Sequence, residues 1–151
     1  MGNANISIAR TWITLVDLQQ IKAYGLNHIR IPIGYWAVEP LAGDPYVQGQ
    51  LPYLDRALEW ARQVGLQVWV DLHGAPGSQN GFDNSGQRDR LDWQTTPGLV
   101  EHTVKVLGIL SQRYARPEYE GVVAGIEVLN EPLGPRLDMN RVRSFMQGKK
   151  N

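Results

Sequence analysis

The sequence predicts an α/β fold that forms part of a (β/α)8 barrel, and three observations support this prediction. Apolar segments of strand length, mostly Val, Ile and Leu, alternate with segments of helical periodicity, which is typical of a parallel sheet covered by helices. No G-x-G-x-x-G turn follows a strand and opens a helix, which disfavours a doubly wound nucleotide-binding sheet. Polar residues suited to catalysis stand where a barrel carries its chemistry, at the carboxyl ends of strands: Arg30, His73, Asn130 and Glu131.

The first half of the chain contains two helix and strand pairs. Thr14 with Asp17 predicts the cap and acidic first turn of a helix that ends at Gly25, and residues 26–33 form the first predicted strand. A second helix runs from about Pro52 to Gly65, and residues 66–72 form the second strand.

The second half repeats the pattern once more. A polar, glycine-rich loop over residues 73–95 leads to Thr96 and Pro97, which predict the cap and first residue of a helix that continues over residues 99–114. Residues 122–129 form the third strand. Because a whole barrel needs roughly 200 to 250 residues, we expect this chain to supply less than half of one.

The composition excludes several classes of function. Fifteen basic and 15 acidic residues give a formal charge of zero, so no nucleic-acid partner is expected. The absence of Cys removes thiolate metal sites and Cys nucleophiles, and His28 and His102 are predicted too far from His73 to share a metal with it. No cofactor and no metal are therefore expected. No run of about 18 apolar residues predicts a membrane span, and no signal peptide is recognisable.

Glu131 is the leading candidate for a catalytic group. It lies between Asn130 and Pro132 directly after the third strand, and Pro132 predicts an extended backbone at Glu131. Partial desolvation in a barrel mouth would raise the pKa of Glu131, as a general acid near neutral pH requires. Asn130 could donate a hydrogen bond to a sugar hydroxyl. The alternative interpretation is a strand that ends in a polar turn, and the triplet alone does not decide.

Two further polar residues stand on or after the predicted strands. Arg30 interrupts an apolar strand and could pair with a catalytic carboxylate, or alternatively form a structural ion pair with a buried Glu127. His73 could hydrogen-bond a sugar, although a single His after a strand is more often structural.

Phe82 lies isolated in the loop among Gly, Ser, Asn and Asp residues. Such an aromatic side chain could be a stacking platform for a sugar or an anchor that holds the loop, and composition does not choose between them.

Three segments of the chain resemble fungal exo-1,3-β-glucanases of glycoside hydrolase family 5. Residues 26–36, LNHIRIPIGYW, are similar to their second barrel strand. Residues 71–86, DLHGAPGSQNGFDNSG, are similar to the third strand and its loop, and residues 130–135, NEPLGP, to the fourth. The resemblance extends from about Thr11 to Phe145. It implies a single partial catalytic domain over residues 1–151, covering strands 2 to 4, with disordered ends at 1–10 and 146–151.

The resemblance also implies an activity and a set of site residues. A family member of this type is a secreted or cell-wall enzyme that releases glucose from the non-reducing ends of β-1,3-glucan with retention of configuration. Glu131 matches the proton donor, and six residues match positions that bind the substrate: Arg30, His73, Asn130, Phe82, Asn84 and Asp89.

The resemblance does not supply every part of the reaction. Retaining glycosidases need two carboxyl groups about 5 to 5.5 Å apart, and the family's nucleophile lies near a seventh strand that this sequence does not contain. We therefore expect a catalytically incomplete monomer whose partner is a β-1,3-glucan or oligosaccharide. The alternatives are an inactive fragment that binds glucan, a homo-oligomer that completes a barrel, and a β-1,4-glucanase or steryl glucosidase of the same superfamily.

Overall fold

The computed structural model describes residues 13–148, which form a three-stranded sheet covered by helices. The strands are β1 (His28–Gly34), β2 (Gln67–Gly74) and β3 (Val123–Glu127). The helices are α1 (Leu15–Ala23), α2 (Leu51–Val64), α3 (Leu99–Tyr114) and α4 (Met139–Met146). Of the ends predicted to be disordered, residues 1–10 and 149–151 lie outside the described residues.

The sheet is fully parallel in the order β1-β2-β3, as the alternating pattern predicts. Pro32 pairs with Asp71, and Asp71 pairs with Glu127, so the polar ends of β2 and β3 lie side by side. The prediction of part of a (β/α)8 barrel is confirmed. None of the helices in the described part combines the length and the apolarity that a membrane span requires.

The core lies between one face of the sheet and the helices. Val68, Val70 and Leu72 alternate along β2 and are fully buried. Helices cover them with apolar faces spaced at helical periods, which explains why these segments are amphipathic. The buried residues on that face of α2 and α3 are Leu54, Leu58, Ala61, Val106, Leu110 and Tyr114.

The opposite face of the sheet carries the side chains that point toward a barrel interior, because neighbouring residues of a strand face opposite sides. Trp69 pairs with Arg30 on one side and with Gly125 on the other. A Cβ atom at Gly125 would lie only 2.7 Å from the Trp69 ring, so the glycine makes room for that ring. On the outer edge of β1, an apolar groove of about 760 Å³ remains open in the described chain.

A second, smaller core fixes the loop after β2 and helix α4. Trp93 is fully buried, donates its indole N–H to Thr103 Oγ1 at 2.9 Å and meets Phe145 edge to face at 5.1 Å. The pattern of apolar residues did not predict α4, although Asp138 caps it by accepting from Asn140 N at 2.8 Å. Its last residue, Met146, falls within the end that was predicted to be disordered.

Two local predictions are corrected. Thr96 and Pro97 do not begin α3; Gly98 caps it with φ +87°, and the first helical residue is Leu99. Strand β3 stops at Glu127 rather than at residue 129, and beyond it the backbone N–H of Asn130 still donates to Leu72 O of β2 at 3.1 Å.

Replacing Gly86 by Ala is expected to destabilise the chain more than the same change at Gly98. Both glycines have nearly identical backbones, with φ of +86° and +87° and ψ of -12°, so left-handed strain of about 1 kcal/mol applies to each. A Cβ at Gly86 would also meet Trp36 at 2.7 Å, whereas Gly98 has nothing within 4 Å. Because Trp36 stacks on Tyr46, moving the Trp36 ring away from a new Cβ would disrupt that packing, and we expect an additional loss of about 1 to 3 kcal/mol.

Urea unfolding of the two single variants measures this difference in the free energy of unfolding. Equal losses in the free energy of unfolding of Gly86→Ala and Gly98→Ala would mean that the Trp36 ring is not held in place.

Candidate active site

Arg30, the third residue of β1, connects the three strands through its side chain. Its Nε donates to Glu127 Oε2 at 2.6 Å, and its Nη2 donates to Glu127 Oε1 at 3.1 Å and to Asn130 Oδ1 at 2.7 Å. Nη2 also lies 3.0 Å from Asp71 Oδ2. The hydrogen bond that Arg30 donates to Glu127, more than any other contact, raises the pKa of Arg30. Arg30 was predicted to pair either with a catalytic carboxylate or with Glu127, and it pairs with Glu127.

Glu127 is an ion-pair partner of Arg30 but is not buried. Its side chain is 37% exposed, which corrects the predicted burial. The residue lies at the last position of β3 on the interior face, and the described chain places no layer over that face.

Asp71 is a buried carboxylate that was not among the predicted site residues. It is fully buried and lies 2.6 Å from His73 Nδ1. Burial raises the pKa of Asp71, while the hydrogen bond from His73 and the charge of Arg30 oppose that shift. With Asp71 ionised by its ion pair with Arg30, the carboxylate only accepts, so His73 Nδ1 is the donor and Nε2 is left for a ligand. The available signal was a charged residue within an apolar strand, the signal that singled out Arg30.

Asn130 is 2% exposed and is held by three neighbours at the mouth of the sheet. Its backbone N–H donates to Leu72 O at 3.1 Å, its backbone carbonyl accepts from Gln79, and its side-chain oxygen accepts from Arg30. Its Nδ2 is buried without a partner among the described residues, as is Asp71 Oδ1. Buried polar atoms without partners are rare, and they concentrate where water or a ligand binds.

Glu131 does not adopt the extended conformation predicted from Pro132. Its φ is +44°, a strained value for a residue with a side chain. The reason is that hydrogen bonds on both sides, at Asn130 and at Leu133, turn the backbone sharply between them. The side chain is exposed, so the desolvation predicted for it is not found in the described chain. The carboxylate lies exposed at the mouth, directly after Asn130.

The loop after β2 is ordered by its own side chains rather than open. The buried Ser78 and Ser85 hydroxyls lie 2.6 Å apart, and Ser78 Oγ also accepts from Gly81 N at 2.8 Å. This fold brings Asn84 Nδ2 to 3.4 Å from Glu131 Oε2.

The two remaining predicted residues lie in the same loop. Phe82 is 44% exposed, which leaves its ring accessible. Asp89 has a φ of +64° and donates its backbone N–H to Gly81 O at 2.9 Å. No hydrogen bond or ion pair within residues 13–148 joins the Asp89 side chain to Arg30 or to the residues that Arg30 contacts.

The chain matches one family model. That model, described as Cellulase (glycosyl hydrolase family 5), matches residues 5–147. The chain belongs to glycosyl hydrolase family 5.

Curated relatives confirm the resemblance found from the motifs. The glucan 1,3-beta-glucosidase of Schwanniomyces occidentalis is 59% identical over 138 residues, which cover 91% of this chain and 32% of the relative. That of Candida oleophila is 58% identical over 137 residues, with 91% and 32% covered. The chain thus spans about a third of the length of these curated relatives.

Solved structures of related fold agree with this assignment. The rutinosidase from Aspergillus niger superposes with a TM-score of 0.79 at 19% identity, over 91% of this chain and 44% of that one. At this identity the likeness concerns the fold alone, and it supports the barrel architecture of family 5.

Proposed function

We propose that this chain forms the acid/base side of a retaining β-1,3-glucan hydrolase of family 5 that releases glucose from non-reducing ends. Glu131 protonates the glycosidic oxygen and afterwards activates water. The observation that carries the proposal is the exposed Glu131 carboxylate, held by a strained backbone beside Asn130 and Arg30 at the carboxyl ends of parallel strands.

The neighbouring residues supply the binding groups for the sugar next to the cleaved bond. His73 Nε2 and Asn130 Nδ2 are two polar atoms that the hydrogen bonds around Arg30 and Asp71 leave for a ligand. Asn84 lies beside the carboxylate, and Phe82 presents an accessible ring at the entrance. Asp89 belongs to the same loop after β2, on the side that faces the sugar. These groups suit a neutral ligand rich in hydroxyl groups, such as a glucan.

The nucleophile of the reaction comes from another part of the protein. Within the described residues, Asp71 and Glu127 both bind Arg30 and are not free to attack a sugar. Relatives about three times as long carry the name glucan 1,3-beta-glucosidase, so a whole protein of that length would provide the second carboxylate. We place the whole enzyme outside the cell or in the cell wall, acting as a monomer on β-1,3-glucan.

A hybrid enzyme tests this proposal. In the Schwanniomyces occidentalis relative, the 138 aligned residues are exchanged for those of this chain, which we call the hybrid. We expect the hybrid to release glucose from laminarin at a rate within about tenfold of its parent, because the exchanged segment supplies an equivalent acid/base side. The isolated chain is expected to release none.

Cello-oligosaccharides and a steryl glucoside, assayed in parallel, separate the related specificities. A folded hybrid that cleaves either of these but not laminarin would overturn the β-1,3 assignment. Glucose release by the isolated chain would show that it holds its own nucleophile.

A further inference from the structure

The loop after β2 contains one fully buried glutamine whose amide group spans the two strand ends of the site. Gln79 Nε2 donates to His73 O at 2.8 Å and to Asn130 O at 2.9 Å. Its Oε1 accepts from Ala75 N at 3.0 Å. Both amide hydrogens and the oxygen are therefore used, which leaves the side chain one orientation.

The same residue holds the chain on both sides of Glu131. Its side chain binds the carbonyl of Asn130, the residue before Glu131, and its backbone carbonyl accepts from Leu133 N at 3.1 Å. Glu131, between these two points, has the strained φ of +44°. Strained conformations persist only where surrounding contacts impose them.

We infer that Gln79 is a positioning residue that imposes the strained turn at Glu131 and so aims the acid/base carboxylate. The inference rests on the proposed function and names a residue that acts through Glu131 rather than on the sugar. By holding the His73 carbonyl as well, Gln79 sets the spacing between the sugar-binding end of β2 and the carboxylate after β3. A displacement of about 1 Å at such a group is enough to lower a catalytic rate about 100-fold.

Gln94 offers a matched control. It is also a buried glutamine, and it also bonds backbone groups through both amide atoms: Nε2 to Asp138 O at 3.1 Å, and Oε1 to Asp138 N at 2.9 Å. Those bonds hold the start of α4 and do not touch Glu131. Replacing either glutamine by Met keeps the size and removes the amide.

The first experiment measures amide hydrogen exchange in the isolated chain, without any need for activity. In Gln79→Met, the amides of Ala75 and Leu133 are expected to lose at least tenfold in protection, whereas Gln94→Met leaves both unchanged. Unchanged protection of Leu133 in Gln79→Met would overturn the inference, because the side chain would then not hold the turn.

The second experiment uses the hybrid. Gln79→Met is expected to lower kcat for laminarin about 100-fold with little change in KM, while Gln94→Met keeps the kcat of the unaltered hybrid. An equal fall of kcat in Gln79→Met and Gln94→Met would mean that Gln79 has only a structural role. A hybrid without any activity would instead overturn the proposed function, and the exchange experiment would still decide the role of Gln79.

Gln79→Glu adds a readout that general destabilisation does not move. An ionised carboxylate cannot donate to the carbonyls of His73 and Asn130, but its protonated form donates to one of them. Burial beside two carbonyl oxygens raises the pKa of the introduced group above the ordinary value of about 4.3. The kcat ratio of Gln79→Glu to the unaltered hybrid is therefore expected to rise between pH 7 and pH 5, and a flat ratio would contradict the inference.

Discussion

Replacing Glu131 by Gln in the hybrid is expected to lower kcat/KM for laminarin by roughly 1000-fold, within the range of general acid catalysis. Gln keeps the size and hydrogen-bonding reach of the side chain but holds no transferable proton. The leaving alcohol of a glucan needs that proton, because an alkoxide is a poor leaving group. Glucose release from laminarin is the measurement.

The leaving group of the substrate distinguishes a proton donor from a residue that merely shapes the site. An aryl glucoside whose phenol ionises readily departs without protonation, so its kcat/KM is expected to fall far less in Glu131→Gln. Glu120→Gln is the matched control, because Glu120 is an exposed glutamate ahead of β3, at the opposite end of the sheet. If kcat/KM of Glu131→Gln fell equally for laminarin and for the aryl glucoside, Glu131 would not be the general acid.

Replacing Arg30 by Met is expected to lower the free energy of unfolding of the chain by about 2 kcal/mol at pH 7. Removing one partner of a fully buried pair costs about 3 to 5 kcal/mol, and the 42% exposure of Arg30 reduces that figure. The change leaves Asp71, which is fully buried, with only His73 as a partner. Glu127 loses its partner too, but water reaches it.

The loss is expected to depend on pH in a direction set by Asp71. Burial already raises the pKa of Asp71 in the folded chain, and the charge of Arg30 opposes that shift, so Arg30→Met raises the pKa further. As the pH falls through this raised value, the folded chain binds a proton before the unfolded chain does, and the folded state gains stability. The deficit of the variant is therefore largest near pH 7 and shrinks toward the unfolded value of about 3.9.

Urea unfolding at pH 7 and pH 4.5 measures this dependence. The double variant Arg30→Met with Asp71→Asn is the control, because it removes the buried charge and should recover most of the deficit at pH 7. A deficit that is the same at both pH values would mean that Asp71 does not depend on Arg30.

The sequence by itself determined the three strands, the helices α1 to α3 and their order. Helix α1 begins after Thr14, whose backbone N–H donates to Asp17 at 2.7 Å, and α2 ends at Gly65 with φ +72°, as local capping rules predict. The Val, Ile and Leu strands predicted a parallel sheet, and the residues after them predicted where the site lies. These properties depend on residues close together in the chain, where periodicity and capping act.

Only the tertiary structure decided the contacts within the site. Arg30 meets Glu127 across 97 positions, and Gln79 meets Asn130 across 51, so no local pattern distinguishes these partners from others. The local rule for a residue before proline predicted an extended Glu131, but hydrogen bonds brought by Gln79 from a distant loop imposed a left-handed turn. Contacts between strand ends arise only once the sheet has assembled, and they then outweigh the intrinsic preference of a single residue.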